Sequence, residues 1–294
     1  MQKKINKVLI ITNFNIYEKG HAALNVAEKL TELGCEVCTL VYNKDKIFRL
    51  NKSRLRFTFL PIEDAYKSVD AVLVLGGDGT ILESARRAAP FETPVLGLNL
   101  GRLGYMAELE IGETQELARF VAGDFQIEER SMLNIELLNT AGEVRKNEYA
   151  LNDAVISNGS ISRIVDLELS EGGVHIANYR SDGLIVATPT GSTAYSLAAG
   201  GAIVDPRLNC LCITPICPHS LYARPLIFPD SACVEIKNTC QREKTLFLTV
   251  DGRMNYELSL GESVRVTRSP LKTRFIRIKD GSFYDRLRQK MNDK

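Results

Sequence analysis

Three glycines surround one aspartate in Gly76-Gly77-Asp78-Gly79-Thr80, a turn that directly follows the apolar run Ala71–Leu75. Glycines remove Cβ atoms where a strand turns sharply into a helix, so backbone N–H groups and the helix N-terminus can face one point. Such a point binds phosphate oxygens well. The turn lacks the lysine of a Walker A loop, and Leu82 stands where a dinucleotide fingerprint needs a small residue. We therefore predict a phosphate-binding turn; the alternative is a structural corner in which Asp78 caps the helix.

A second stretch, residues 188–196, carries five small hydroxyl side chains in a Gly/Pro turn that leads into a predicted helix. They are Thr188, Thr190, Ser192, Thr193 and Ser196. Hydroxyls and backbone amides at a helix start can bind phosphate or sugar oxygens without a fixed charge. The alternative is a helix cap followed by a small-residue packing face, Ala198–Gly201, but a cap needs only one hydroxyl. The surplus of hydroxyls favours a binding loop.

The cysteines include one group with metal-binding residue types, formed by Cys210, Cys212, Cys217 and His219. Its C-x-C-x4-C-x-H spacing is not a usual zinc spacing, and the first two cysteines alternate with apolar residues as in a buried strand. We therefore predict no metal site. The seven cysteines are an odd number spread over a long chain, which indicates a reduced, cytoplasmic protein rather than a disulfide framework.

The overall composition is that of an ordinary globular protein, with 45% hydrophobic and 25% charged residues in 294. The 37 Lys and Arg balance 36 Asp and Glu, so the net charge of +1 argues against a protein held on nucleic acid by bulk electrostatics. No window approaches the roughly 18–20 apolar residues of a membrane span. We expect neither nucleic acid nor membrane as a partner.

Strand-like and helix-like runs alternate in the first hundred residues, which predicts an α/β, doubly wound parallel sheet. The predicted strands are Val8–Ile11, Val37–Val41, Ala71–Leu75 and Val95–Leu98, and the predicted helices are Ala22–Leu33 and Ile81–Ala89. Between them lies a basic stretch with Lys44, Lys46, Arg49, Lys52, Arg54 and Arg56. We interpret it as a solvated surface loop rather than a device that steers anionic donors. Arg86-Arg87 is interpreted as a solvated helix face rather than a phosphate contact.

Short alternating runs dominate after Phe125, which predicts a second, mostly antiparallel β-rich domain. The predicted strands are Leu133–Leu138, Val144–Tyr149, Ala154–Ser157, Val165–Leu169, Val174–Asn178, Leu184–Ala187, Leu211–Thr214, Cys233–Lys237, Leu246–Val250, Met254–Leu258 and Val264–Thr267. One helix is predicted near Thr193–Ala199 and another at Phe283–Met291. We place an α/β domain at 1–126, a β-rich domain at 127–268, and at 269–294 a segment that packs back on the first domain. A cleft between domains is a favoured ligand site.

Several motifs occur together in an order that resembles the NAD kinase family, in particular its bacterial branch. They are Gly76-Gly77-Asp78-Gly79-Thr80, Asn152-Asp153, Asp182-Gly183, Thr188–Tyr195, Pro215–Leu221 and Ala223-Arg224-Pro225. The first motif alone also resembles diacylglycerol-type lipid kinases, which should carry a membrane-facing apolar patch or basic amphipathic helix. No such segment stands out. A non-catalytic nucleotide-binding protein is a third possibility, and the intact Asp78 argues against it.

The resemblance implies transfer of a phosphoryl group from ATP or polyphosphate to the 2′-hydroxyl of the adenosine ribose of NAD, which makes NADP. It also implies Mg²⁺ bound through nucleotide phosphates rather than by dedicated protein ligands, and a homodimer or homotetramer. Positioning and charge neutralisation dominate phosphoryl transfer, so a glycine turn and Mg²⁺ suffice.

The resemblance also assigns roles to residues. Asp78 would be the general base, and Gly79 with Gly76, Gly77 and Thr80 would lie against phosphate oxygens. Asn152 and Asp153 would contact the ribose and adenine of NAD; the family usually has Asn-Glu there, so the carboxylate of Asp153 is one methylene shorter. Further NAD contacts are implied for Arg163, Arg180, Asp182, Thr193, Ala194, Tyr195, Ser196, Leu197, Ala198 and Arg253. Tyr105 and Met106 resemble an apolar pocket wall.

Overall fold

The computed structural model of the chain describes residues 3–50, 55–101, 104–159, 164–220, 222–242, 245–281 and 283–292. Its internal contacts divide the chain into two units. The first contains Met1–Glu129 together with Lys272–Lys294, and the second contains Arg130–Leu271. No helix in the described part of the chain is both long and apolar enough to cross a membrane.

The first unit is an α/β layer structure built on a parallel sheet. Its elements are β1 Lys7–Ile11, α1 Tyr17–Glu32, β2 Glu36–Leu40, α2 Lys44–Leu50, β3 Thr58–Leu60, α3 Ile62–Ala65, β4 Ala71–Leu75, α4 Asp78–Ala88, β5 Val95–Asn99, β6 Leu109–Glu110 and α5 Leu117–Ala122. The strands lie in the order β3-β2-β1-β4-β5, with every neighbouring pair parallel. The order reverses between β1 and β4, as in a doubly wound sheet. All five residues of β4 are buried, as expected of a parallel strand covered on both faces.

The second unit consists almost entirely of antiparallel strands, of which the first begins and the last ends within residues of the first unit. Its elements are β7 Gln126–Leu138, β8 Val144–Ala150, β9 Asp153–Ser157, β10 Val165–Glu171, β11 Val174–Ser181, β12 Gly183–Ala187, α6 Tyr195–Ala198, β13 Cys210–Ile216, β14 Leu226–Pro229, β15 Val234–Asn238, β16 Thr245–Val250, β17 Met254–Ser259 and β18 Ser263–Arg277. Six strands form a sheet in the order β14-β13-β12-β9-β16-β17, and a second ladder runs β11-β10-β15-β18. Strand β10 buries every second residue, Val165, Leu167 and Leu169, so one of its faces joins the core. The predicted fold class, an α/β domain plus an antiparallel β-rich domain, is confirmed.

Strand β18 is much longer than the predicted run Val264–Thr267. In sequence, a proline such as Pro270 is typical of a strand end, because it has no N–H to donate to a neighbouring strand. In the structure the proline lies after the residues that pair with β15, which end at Val266, and before Phe275, which pairs with Val95 of β5. The last residues of β18 thus extend the parallel sheet of the first unit. The helix α7, Phe283–Asn292, follows in the same unit.

The interpretation of the basic stretch as a loop is wrong over Lys44–Leu50, which forms helix α2. Its Ile47 is 1% exposed, and the Lys44 ammonium lies 5.9 Å from the Phe48 ring centroid. Burial of that apolar residue, rather than helix propensity over only seven residues, explains why the segment is helical. Lys52 and Arg54 lie outside the described residues. Both Arg86 and Arg87 pair with Glu83 on the same helix, at 3.1 and 2.6 Å.

Candidate active site

Asp78 is the first residue of α4, and its carboxylate is held by the backbone of a distant loop. Its Oδ2 accepts a hydrogen bond from the Tyr105 amide at 2.9 Å, and its Oδ1 accepts one from the Met106 amide at 3.1 Å. Gly77, with extended backbone, occupies the cap position of the helix. The capping alternative is therefore wrong, because the carboxylate binds amides 27 and 28 residues along the chain.

The glycines around Asp78 have different physical reasons. A Cβ on Gly104 would stand 2.0 Å from Asp78 Oδ1, so only glycine lets the carboxylate approach this backbone. A Cβ on Gly76 would come within 3.0 Å of Thr80, whereas one on Gly77 would meet no atom within 4 Å among the residues that the structure describes. Gly77 and Gly79 are exposed at this end of α4, whereas the Gly76 and Thr80 amides donate to the Leu98 and Gly77 carbonyl oxygens at 3.0 and 2.9 Å. Sequence reasoning missed Gly104, because its close contact is with the Asp78 carboxylate, which lies far away in the chain.

A buried ion pair fixes the loop that orients Asp78. Arg277 Nη1 donates to the Met106 carbonyl oxygen at 3.2 Å and to Glu108 Oε2 at 3.2 Å. The Glu108 side chain is 1% exposed, and its Oε1 accepts the amides of Ile278 and Lys279 at 2.9 and 2.8 Å. Met106, whose N–H donates to Asp78, is thus also held through its carbonyl oxygen. Tyr105 and Met106, expected as an apolar wall, bind Asp78 through their backbone N–H groups.

The second unit contains a cavity of about 390 Å³ that collects several predicted residues. Asn152, Asp153, Ala194 and Tyr195 line it, together with five residues that sequence reasoning missed: Val155, Ser157, Thr249, Asp251 and Gly252. The Asn152 Oδ1 atom is buried and has no hydrogen-bond partner among the residues that the structure describes. A buried acceptor without a partner is costly, so a ligand N–H or O–H at this position would satisfy it.

Two carboxylates lie beside this cavity in different environments. Asp251, in left-handed backbone with φ of 48°, accepts amide hydrogen bonds from Leu151, Asn152 and Asp153 at 2.9, 2.8 and 3.1 Å. Asp153 is 5% exposed. Burial, and secondarily the negative charge of Asp251, raises the pKa of Asp153 to about 7. Asp153 can therefore gain or lose its proton near neutral pH.

We expect Asp153→Asn to become more stable than the wild type as pH increases: the difference between their free energies of unfolding should grow from about pH 4 to about pH 7. An acid with a raised folded-state pKa destabilises the fold from its unfolded pKa near 4 upward, and the penalty is complete above pH 7. Because one pKa unit corresponds to about 1.36 kcal/mol, the penalty is at most about 4 kcal/mol. Denaturant unfolding at pH 5 and pH 8.5 measures it. The exposed Asp280→Asn is the control, and an equal response of both variants to pH would refute the assignment.

The five hydroxyls of the 188–196 stretch all make bonds within the protein. Thr188 donates to the Leu151 carbonyl, Ser192 to that of Pro189 and Thr193 to that of Thr190. The remaining two hydroxyls bond to other side chains: Arg130 donates to Thr190 at 3.1 Å, and Ser196, which is fully buried, bonds to Thr214 at 2.8 Å. The surplus of hydroxyls thus shapes the loop. The buried Arg130 beneath it is a further residue that the sequence did not single out.

The loop also packs directly on Asn152, which lies in the link between β8 and β9. A Cβ on Gly191 would stand 2.0 Å from the Asn152 carbonyl oxygen, which itself accepts the Thr188 amide at 2.9 Å. The predicted helix is a 3₁₀ turn, Gly191–Thr193, followed by the four residues of α6. This packing places Ala194 and Tyr195 at the same cavity as Asn152 and Asp153.

The other predicted contacts lie at various places in the fold, and their roles stay predictions. Arg180 is the penultimate residue of β11 and is exposed, with its carbonyl oxygen accepting the His219 amide at 2.8 Å. Asp182 follows in the link to β12, and exposed Arg253 lies in the turn after Gly252. Leu197 and Ala198 are half-buried and exposed residues of α6, and Arg163 lies outside the described residues. In the part of the chain that the structure describes, no three Cys, His, Asp or Glu residues form a group that could hold a metal ion.

Two family models match the chain. The ATP-NAD kinase N-terminal domain matches residues 8–125, and the ATP-NAD kinase C-terminal domain matches residues 151–278. The NAD kinase of Symbiobacterium thermophilum is 44% identical over 233 residues, which are 79% of this chain and 82% of that protein. The NAD kinase of Citrifermentans bemidjiense is 39% identical over 280 residues, 94% of this chain and 96% of the relative.

Solved structures give the same picture. The crystal structure of yeast NADH kinase complexed with NADH superposes with a TM-score of 0.90 at 25% identity, and covers 100% of this chain and 90% of that one. An NAD kinase from Archaeoglobus fulgidus in complex with ATP gives a TM-score of 0.72 at 23% identity, with 97% of each chain covered. The second match shows likeness of fold alone.

Proposed function

The chain belongs to the ATP-NAD kinase family, and on that premise we propose how its residues transfer a phosphoryl group from ATP to NAD. It is an NAD kinase, a phosphotransferase with an alcohol group as acceptor. Nothing in these matches supports a lipid kinase. The acceptor that we propose is the 2′-hydroxyl of the adenosine ribose, and the product is NADP.

The observation that carries the mechanism is the two-point attachment of the Asp78 carboxylate. Each oxygen accepts one backbone amide and keeps a second lone pair, which can accept the proton of a ribose hydroxyl. As the oxygen of the ribose hydroxyl forms its bond to the γ-phosphorus of ATP, the bond from that phosphorus to the ADP oxygen breaks, and the hydroxyl proton passes to Asp78. We assign Asp78 as the general base because its geometry is fixed before substrate binds.

The amide end of α4 would receive phosphate oxygens. Gly76, Gly77, Gly79 and Thr80 form this end, where the helix dipole favours an anion and the exposed glycines have no side chain to block its approach. Mg²⁺, when bound, neutralises phosphate charge. Because the described residues hold no cluster of three metal-ligand side chains, we propose that Mg²⁺ is carried by donor phosphates and water.

The second-unit cavity would bind NAD. Asn152 Oδ1, the buried acceptor without a partner among the described residues, suits an N–H or O–H donor of the adenosine, and Asp153 suits a ribose diol. Asp251 holds the backbone of both residues, and of Leu151 before them, through one amide contact to each. The shorter side chain of Asp153, compared with the usual glutamate, is compatible with a ligand that enters this cavity. We retain the sequence-based NAD contacts as part of the proposal, including Thr193, Ser196 and Arg163.

We expect Asp153→Asn to raise the KM for NAD about tenfold or more, with little change in the KM for ATP. A carboxylate accepts hydrogen bonds from two ribose hydroxyls, whereas an amide has one acceptor oxygen. Hydrogen bonds to charged groups contribute about 1.5–3 kcal/mol. Steady-state kinetics at pH 8, where Asp153 is largely ionised, test this. A rise confined to the KM for ATP would show that the ribose role is wrong.

The direct test of the function is incubation of the purified chain with ATP, Mg²⁺ and NAD, followed by an NADP-specific enzymatic readout. NADP formation is expected, and activity on diacylglycerol without NADP formation would overturn the proposal. Parallel reactions with polyphosphate establish whether it also serves as donor. We propose in addition a cytoplasmic homodimer or homotetramer that binds neither nucleic acid nor membrane; sedimentation of the purified protein tests its oligomeric state.

A further inference from the structure

The C-terminal helix α7 brings a lysine to the base assigned above. Lys290 Nζ lies 3.8 Å from Asp78 Oδ2 and 3.8 Å from the centroid of the Tyr105 ring. The Tyr105 amide donates to the same Oδ2 atom. The ammonium thus lies over an aromatic face and beside the carboxylate, two environments that attract a cation. The lysine is 212 positions from the aspartate, too far for a local motif to reveal the pair.

A second contact fixes the same helix. Arg286 precedes Lys290 by one helical turn, so the two side chains lie on one face of α7. Arg286 Nη1 lies 3.7 Å from Oε2 of the buried Glu108, the carboxylate that also binds Arg277. Burial, with the nearby charge of Arg277, lowers the pKa of Arg286. The helix is thus attached to the network that holds the Tyr105–Met106 loop against Asp78, so the position of Lys290 is fixed by the same contacts.

The two side chains of the contact remain partly open to solvent. Lys290 is 35% exposed and Asp78 is 32% exposed, in contrast to the 1% of Glu108. A salt bridge with this exposure contributes little to stability. Its position matters instead, because a triphosphate donor carries several negative charges that the Asp78 carboxylate repels. A cation beside the carboxylate reduces that repulsion.

We propose that Lys290 is a positioning residue of the phosphoryl-transfer site, which offsets the charge of Asp78 so that a polyphosphate-bearing substrate can approach the base. This inference rests on the function proposed above. It assigns α7 to the reaction, although the helix lies beyond the residues that the family models match. The chemical class recognised is a polyanionic phosphoryl donor.

The test compares Lys290→Gln with Lys290→Arg and with a control on the same helix. The control is Arg288→Gln, whose cation is 73% exposed and pairs with Asp285 at 3.1 Å. Loss of a charge-assisted contact predicts a kcat about 10- to 100-fold lower in Lys290→Gln, with the KM for NAD within about threefold of wild type. Lys290→Arg should keep kcat within about threefold, and all three variants should unfold at the wild-type temperature.

A double-mutant cycle separates an effect through Asp78 from a general structural effect. In an Asp78→Asn background the carboxylate charge is gone, so Lys290→Gln should lower the residual kcat by less than about twofold. A full 10-fold loss in that background would overturn the proposal, as would a kcat of Lys290→Gln equal to that of Arg288→Gln. If the wild type itself makes no NADP, the proposed function fails; if it does and Lys290→Gln is unimpaired, only this inference fails.

Discussion

Asp78→Asn is expected to lower kcat about 10²- to 10⁴-fold, or roughly 3–5 kcal/mol, while the dissociation constant of NAD stays within a few-fold of normal. The proton-accepting oxygen is needed only as the ribose hydroxyl attacks phosphorus. Initial-rate kinetics and calorimetric binding of NAD measure the two quantities. A kcat within threefold of the wild type would remove Asp78 from the mechanism.

The chain offers a control for the loss of a carboxylate charge beside the same strand. Asparagine keeps one acceptor oxygen, so it cannot accept from the Tyr105 and Met106 amides on two separate oxygens. Asp70, which precedes β4 as Asp78 follows it, accepts the amides of Asn6 and Lys7 on its single oxygen Oδ2, at 3.0 and 2.9 Å. Asp70→Asn therefore removes a carboxylate charge beside β4 while it keeps one oxygen that can accept both amides, and it should leave kcat unchanged.

Gly104→Ala is expected to lower kcat about 100-fold with only a small change in thermal stability. The new Cβ would stand 2.0 Å from Asp78 Oδ1, and the carboxylate yields because it ends a side chain rather than belonging to the backbone. A displacement of about 1 Å from reactive geometry costs on the order of 10²-fold in rate. Kinetics beside a thermal melt measure both effects.

Gly101→Ala is the control for this substitution, since its Cβ would meet no atom of the described part of the chain within 4 Å. It should leave both kcat and the melting temperature near wild type. Equal kinetics for the two alanine variants would show that the carboxylate position does not limit the rate. A Gly104→Ala protein that fails to fold would instead show that the 104–106 loop tolerates no Cβ, whatever the Asp78 side chain does. The same loss of stability in an Asp78→Ala background, where the carboxylate is absent, would confirm that the loop is the cause.

The corner itself could be predicted from the sequence because its causes are local. A run of five apolar residues and a cluster of glycines predict a buried strand and a sharp turn into a helix, and β4 and α4 lie there. The fold class follows from the same kind of periodicity. By contrast, the two amides that orient Asp78 come from a loop whose sequence carries no polar signal, because a backbone N–H belongs to nearly every residue type.

The hydroxyl loop shows a different limit of sequence reasoning. Five hydroxyls correctly marked an unusual turn, yet residue type alone does not say whether a hydroxyl binds a ligand or its own chain. In the structure Ser192 both donates to Pro189 and accepts the Val204 amide, so its side chain is used internally. The raised pKa of Asp153 was equally hidden, since it comes first from burial in the folded chain and then from the charge of Asp251, which lies 98 residues away.

The attachment of Asp78 to a separate loop has a consequence for protein engineering. A segment transplanted from residues 71–88 into another parallel sheet would bring the glycine turn and the helix, but its aspartate would rotate freely. Orientation also requires the Gly104–Met106 backbone, and behind it the guanidinium of Arg277. The smallest transferable unit of this site is therefore discontinuous: two adjacent strands of one sheet with their loops, and a third strand contributed from the far end of the chain.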